Sequence, residues 1–242
     1  MCACCGDTVD AAQYAGVGED QVLCRACRLA PPPFVKAVAY GTYAGRMREA
    51  IHALKYERLS AAAPRLGGML AEAISQLAAE APLEMLVVPV PLHRSKHAQR
   101  GFNQARVLAS HALRSLATTY PEWHLTLAAS SLVRLRATES QAGLTPRMRR
   151  MNVRGAFKVS DRVSERAAVK NRHVLVIDDI LTTGATARAV SKALRDAGAA
   201  SVWVATLARA RRVNDRVNDF GTPEAGETQG ASRFSSQDQP SF

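Results

Sequence analysis

Asp178 and Asp179 stand side by side, and Thr182, Thr183, Gly184 and Thr186 follow almost at once. Two adjacent carboxylates are acceptors suited to vicinal hydroxyls or to a hydrated hard cation. The threonines add hydroxyl donors, and Gly184 permits a positive φ and a close backbone approach, which is what a phosphate requires. A sugar with vicinal hydroxyls and a 5′-phosphate satisfies all of these groups at once. The plainer alternative, an acidic pair capping the next helix, needs neither a second Asp nor three Thr. No Gly-Lys-Ser/Thr follows, so the loop is not of the Walker A type.

The flanking pattern positions these residues. Val174–Ile177 is an apolar, mostly β-branched run that reads as a buried strand of a parallel sheet. Ala187–Ala197 is Ala-rich and helix-like, with Gly198 as its C′ stop. The acidic pair therefore sits at a strand's carboxyl end and the Thr/Gly turn at a helix N-terminus, where open α/β sheets bind anions.

Met85–Leu92 reads as a second buried strand, and Pro89 and Pro91 mark where regular pairing ends. Leu92, His93, Arg94, Lys96, His97 and Arg100 follow, a cation-rich loop that makes a second anion site in company with the acidic pair. By itself such a run would be a solvated loop. Gly101-Phe102-Asn103-Gln104 then leads into a helix to about Leu116.

Upstream, Val35–Tyr43 is strand-like, and Arg46–Tyr56 is an amphipathic helix with Met47, Ile51 and Leu54 at helical spacing. Lys55-Tyr56 reads as its solvated end. Leu66–Ala79 is an Ala/Leu helix closed by Pro82, whereas Tyr120–Ala129 carries no clear pattern. Between Arg134 and Arg154 there are six Arg against one Glu. Arg134 and Arg136 precede a polar, hinge-like segment able to close over a charged ligand. Pro146 starts a short helix that carries Arg147, Arg149 and Arg150, and residues 155–159 return as a short strand. Ser201–Leu207 completes a β-α-β unit. From Ala210 the chain turns polar, and Gly221–Phe242 has the composition of a disordered tail.

All five cysteines lie in the first 27 residues. Cys2/Cys5 and Cys24/Cys27 form two C-x₂-C pairs with 18 residues between them, the spacing of a four-thiolate zinc site on two knuckles. A disulfide pair or idle thiols are the alternatives, and Cys4 is a bystander. Gly6 suits the knuckle turn, and Ala30-Pro31-Pro32-Pro33 reads as a semi-rigid linker. The expected organisation is a zinc ribbon over 1–30, an α/β domain over 34–209 and a disordered polar tail over 210–242. The 242 residues suffice for one full core. No apolar run of membrane-spanning length and no signal-peptide pattern is present, so a cytoplasmic protein without membrane insertion is expected. The net charge of +11 calls for an anionic partner, either a nucleic acid or a pyrophosphate-bearing substrate.

The run Val174–Thr186 resembles the phosphoribosyl-pyrophosphate (PRPP) motif of type I phosphoribosyltransferases. The whole pattern resembles the ComF/GntX family, a zinc ribbon fused to a type I phosphoribosyltransferase-like domain. The matching stretches are the cysteine knuckles, Pro89-Val90-Pro91-Leu92, Arg100-Gly101-Phe102-Asn103-Gln104, Arg134-Leu135-Arg136-Ala137-Thr138 with Gln141, and Arg150–Phe157, besides the acidic-pair run. They span residues 2–208. The resemblance implies an open, mostly parallel sheet flanked by helices, with Zn²⁺ on Cys2, Cys5, Cys24 and Cys27. It implies that Asp178 and Asp179 hold the ribose hydroxyls with Mg²⁺, and that Thr182, Thr183, Gly184, Ala185 and Thr186 wrap the 5′-phosphate. Leu92, His93, Arg94 and Arg100 would meet the pyrophosphate, and Arg134 and Arg136 would cover the leaving group.

Two functions follow. One is a PRPP-binding protein of natural competence that acts with a helicase on single-stranded DNA, for which Arg147, Arg149 and Arg150 are the candidate contacts. The other is an active enzyme transferring a phosphoribosyl group from PRPP to an acceptor in nucleotide or gluconate-related metabolism.

Overall fold

The computed structural model describes residues 1–9, 22–56, 60–138 and 145–210. Gln141, the polar segment around it and the tail from residue 211 lie outside the described residues. In chain order the elements are α1 (Arg25–Leu29), β1 (Ala37–Thr42), α2 (Gly45–Tyr56), α3 (Ala63–Ser75), β2 (Glu84–Pro89), α4 (Arg94–Arg100) and α5 (Gln104–Thr119). Then come β3 (His124–Leu127), β4 (Leu132–Arg134), α6 (Pro146–Val153), β5 (Phe157–Val159), α7 (Val163–Val169), β6 (His173–Leu181), α8 (Ala185–Asp196) and β7 (Ser201–Arg209).

Five strands form one parallel sheet in the order β1-β7-β6-β2-β3. Strand β6 is central because its apolar residues can be buried on both sides. Val174 and Val176 join a core with Val88, Val202, Val204 and the α8 residues Val190 and Leu194. Leu175 and Ile177 face the other way, into a core with Leu70 and Ile74 of α3, Leu108 of α5 and Ile51 and Leu54 of α2. Helices α3 and α5 approach so closely at Gly67 that a Cβ there would overlap the Cβ of His111.

Helix α8 begins two residues before the sequence pattern and ends on a Schellman turn. Gly198, with φ of 92°, donates to Arg195 O, and Ala199 donates to Leu194 O. Helix α3 likewise begins three residues early, because Pro64 fits its first turn. The patternless stretch after Tyr120 contains β3, an edge strand parallel to β2 that is only half-covered. It lacks the continuous apolar run of its neighbours for that reason. The basic stretch after Leu92 is not a loop: His93 caps a seven-residue helix, α4, that ends at Gly101 in the left-handed region.

Strands β4 and β5 pair antiparallel as a separate two-stranded flap. The cysteine segment packs in the same core as α8 and the flap. Ala37 N donates to Cys4 O at 2.7 Å, Arg209 Nη1 donates to Cys5 O, and Arg188 Nη2 donates to Ala30 O at 2.7 Å. No helix among the described residues is long and apolar enough to cross a membrane.

Candidate functional site: an acidic pair in a cationic cleft

The carboxyl ends of β6, β2 and β7 open into a cleft of about 510 Å³, within the range of small-molecule sites. Asp178 and Asp179 lie in its wall, with Thr182, Gly184 and Thr186 beside them. Gly184 has φ of 75° and forms the N-terminal boundary of α8, so the loop turns sharply and the first N–H groups of the helix are left for an anion. Ala185 is buried beneath the loop. Thr183 is half-buried, and its Oγ1 has no hydrogen-bond partner among the described residues.

The two carboxylates differ in state. Burial, with Asp179 next to it, pushes Asp178 well above the usual carboxylate range. Burial works the same way on Asp179, but the Lys55 ammonium and a hydrogen bond from Asp178 outweigh it and hold Asp179 below that range. Asp179 N also donates to Asp178 Oδ1 at 2.9 Å. Lys55 forms an ion pair with Asp179, the two side chains being 18% and 7% exposed. The end of α2 is therefore no solvated helix end. Ile51 and Leu54 pull one face of the helix into the core, and that places Lys55 against the acidic pair.

Cations line the same cleft. Lys96 and Arg100, one turn apart on α4, face the cleft. Burial and the nearby charges of Arg134, Arg100 and Lys55 lower the affinity of Lys96 for its proton. Arg100 Nη1 donates to the buried Gln104 at 3.0 Å, while Asn103 caps α5 through Ala105 N and ties it to Val90 O at 3.0 Å. The Arg-Gly-Phe-Asn-Gln stretch thus fixes the junction between β2, α4 and α5. His93 and Arg94 are not among the residues lining the cleft, whereas Leu92 is.

Arg134, at the end of β4, lines the cleft and lies over the Phe157 ring with 5.2 Å to its centroid. One of its Nη donates to Thr138, and its buried Nε has no hydrogen-bond partner among the described residues. Burial lowers its proton affinity, with Arg136 adding to the effect and Asp178 opposing it. Arg136 is exposed and instead donates to Arg154 O at 2.8 Å. Of the three arginines on α6, Arg149 lines the cleft, and Arg147 and Arg150 do not.

Sequence reasoning missed Tyr43, Arg48, His52 and Thr206, it named Lys55 and Gln104 without assigning them to the site, and it placed Lys96 in the basic stretch of the second anion site. The signal for the α2 residues was present, since Arg48, His52 and Lys55 recur at helical spacing beside Ile51 and Leu54. What the sequence lacked was the side of the sheet on which that helix lies.

A second site is built by the cysteines. The Sγ atoms of Cys2, Cys5, Cys24 and Cys27 lie within 4.8 Å of one another, and all four residues are buried. The Cys5 and Cys24 sulfurs are 3.7 Å apart, close to the ~3.8 Å edge of a tetrahedron with zinc–sulfur bonds of about 2.3 Å. All five cysteines are free thiols. Hydrogen bonds from Cys27 and Cys5 pull the Cys2 thiol far below its ordinary value, and the bond to Cys2 with burial pushes Cys5 up to about 12. A divalent cation relieves this crowding of protons and negative charge. Gly6, with φ of 66°, closes the first knuckle by donating to Cys2 O at 2.9 Å. Cys27 and Arg28 donate to Cys24 O at 3.0 Å and close the second. The four sulfurs therefore fit a metal such as zinc.

A sequence model of the phosphoribosyl transferase domain matches residues 102–222, half of the chain. The "DNA utilization protein YhgH" of Escherichia coli is 32% identical over 188 residues, covering 77% of each chain. The chain belongs to the ComF family of phosphoribosyl transferase-domain proteins. The "Competence protein F" of Haemophilus influenzae is 27% identical over 217 residues, 87% of this chain and 90% of that one. A solved glutamine PRPP amidotransferase from B. subtilis overlaps 60% of this chain but only 26% of its own, at 24% identity and a TM-score of 0.31. That overlap is too slight to bear on the fold or the site.

Proposed function

We propose that this ComF-family protein binds PRPP with Mg²⁺ and serves natural competence in the cytoplasm, acting on incoming single-stranded DNA with a helicase as partner. The observation that carries the ligand is the Asp178–Asp179 pair, half-buried and buried respectively, in one cleft with Lys96, Arg100 and Arg134. A ribose with two phosphate-bearing ends matches that distribution of acceptors and cations. The names of the curated relatives, a DNA utilization protein and a competence protein, support the process.

In this reading Asp178 and Asp179 accept from the ribose hydroxyls and hold the cation. Thr182, Thr183, Gly184, Ala185 and Thr186, at the α8 N-terminus, receive the 5′-phosphate. Lys96, Arg100 and Arg134 meet the pyrophosphate, with Leu92, His93 and Arg94 shaping the approach and Arg136 closing the flap. Mg²⁺, when bound, neutralises part of the pyrophosphate charge. Residues 1–30 form a zinc ribbon on Cys2, Cys5, Cys24 and Cys27, residues 34–209 the phosphoribosyltransferase-like domain, and 210–242 a polar tail. Calorimetric titration is expected to give PRPP binding that Mg²⁺ supports and EDTA removes. An absence of PRPP binding with Mg²⁺ present would refute the reading.

Turnover is the second reading: transfer of the pentosyl group from PRPP to an acceptor, with pyrophosphate released and the positive charge developing on the sugar met by the acidic pair. Arg48, His52 and Lys55 favour it, because they line the same cleft on a helix separate from Lys96 and Arg100 and leave a place for a second reactant. Pyrophosphate release with an acceptor is the measurement that establishes it.

A further inference from the structure

Two groups of basic side chains and the Thr/Gly loop line the cleft, and they hang from different parts of the sheet. Lys96 and Arg100 follow β2 on one side of β6, and the Thr/Gly loop follows β6 itself. Arg48, His52 and Lys55 sit on α2, which follows β1 on the other side of β6. Tyr43, just before α2, donates from its backbone N–H to Arg209 O at the end of β7, and the last turn of the helix reaches Asp179 through Lys55. The helix thus crosses from the β1/β7 edge to the tip of β6.

The three side chains recur at i, i+4 and i+7, so they share one face, and Ile51 and Leu54 hold the adjoining face in the core at 0% and 1% exposure. The face is therefore fixed in orientation and directed into the cleft. A PRPP molecule has two anionic ends, which the Thr/Gly loop and the α4 pair already meet. That assignment makes no use of Arg48 or His52, which line the same cleft, and Lys55 is engaged with Asp179.

We propose that the α2 face is a separate binding station for a second substrate that carries a phosphoryl group, with Arg48 and His52 as its principal contacts and Lys55 linking it to the acidic pair. The inference rests on the PRPP reading and names the chemical class of what binds beside it. Arg48 offers a dianionic phosphate a paired donor fork, and the His52 ring can add a further hydrogen bond. Among the described lining residues Tyr43 is the one Phe, Tyr or Trp, so recognition falls mainly on the charged group rather than on ring stacking. The phosphoryl group can belong to a nucleotide or to the backbone of a nucleic-acid strand.

The test compares the full chain with the variant Arg48→Gln/His52→Gln, which leaves the Lys55–Asp179 pair in place. Inorganic phosphate is titrated calorimetrically into each protein saturated with Mg²⁺ and PRPP. The variant is expected to lose about tenfold or more in phosphate affinity, the loss of one or two charge-assisted hydrogen bonds, and more than it loses for PRPP. Arg48→Lys, which keeps the charge, is expected to recover part of the loss. Equal phosphate affinity in wild type and variant overturns the inference.

A failure of PRPP to bind would sink the functional reading alone, and the same titrations into PRPP-free protein would still decide this one by the difference between the two proteins. Thymidine, thymidine 5′-monophosphate and a short thymidine oligonucleotide, used as competitors, separate the sources. Competition by the monophosphate assigns a nucleotide, and competition by the oligonucleotide alone assigns a strand. Competition by thymidine as strong as that of its monophosphate overturns the charge-based inference.

Discussion

At the scale of single residues, the acidic pair sets function against stability. Asp178 binds its proton more tightly in the folded chain than in the unfolded one, so its contribution is present at low pH and is lost as pH rises through its raised value. Asp179 has the opposite sign: its contribution is present above the ordinary carboxylate range and is lost as pH falls through its depressed value. Ligand-free protein should therefore lose some thermal stability above the ordinary carboxylate range, by an amount traceable to Asp178. Asp178→Asn is expected to remove that slope and raise the melting temperature at neutral pH, by roughly 2–4 °C for about 1 kcal/mol. The same variant should lose Mg²⁺-dependent PRPP binding in calorimetry. A variant that melts lower and still binds PRPP would contradict both assignments.

At the scale of elements, the arginines of α6 differ in placement. Arg149 lines the cleft, whereas Arg147 and Arg150 do not. Single-strand affinity should fall for Arg147→Ala and Arg150→Ala, each lowering the slope of log affinity against log salt by about 0.7. Arg149→Ala should weaken PRPP binding as well, and calorimetry beside a salt titration of a labelled strand reads both effects. The α3–α5 contact carries a separate expectation. Gly67→Ala forces a methyl group into His111 and should cost about 1–3 kcal/mol, measured as a lower denaturation midpoint with the ligand site unchanged in sequence.

For the molecule as a whole, the cysteine site and the cleft share one core. Arg209 ends β7 and reaches both Asp7 and the Cys5 sulfur, the latter at 3.5 Å from Nη2, with its side chain 11% exposed. It touches one of the four clustered sulfurs, so if zinc occupies that site Arg209→Ala should weaken its binding by about 10–100-fold. A chelator competition assay measures this. Cys24→Ala/Cys27→Ala should remove about one zinc per chain by metal analysis and lower the melting temperature. Retained metal would refute the ribbon.

The sequence by itself determined the central strand, its acidic end, the Thr/Gly loop and the spacing of the cysteines. Each is a local pattern: an apolar run, a positive-φ glycine, two close thiol pairs. It also determined that cations follow β2, although it did not reveal that they lie on a short helix whose one face carries Lys96 and Arg100. The edge strand β3 was illegible because a half-covered strand needs no continuous apolar run. Only the tertiary structure decided which cations meet the acidic pair. Lys55 precedes Asp179 by more than a hundred residues, and no local pattern encodes a contact between them. Burial of Ile51 and Leu54 turns α2 so that Lys55 reaches Asp179, and that contact holds Asp179 below the usual carboxylate range while burial raises its neighbour above it.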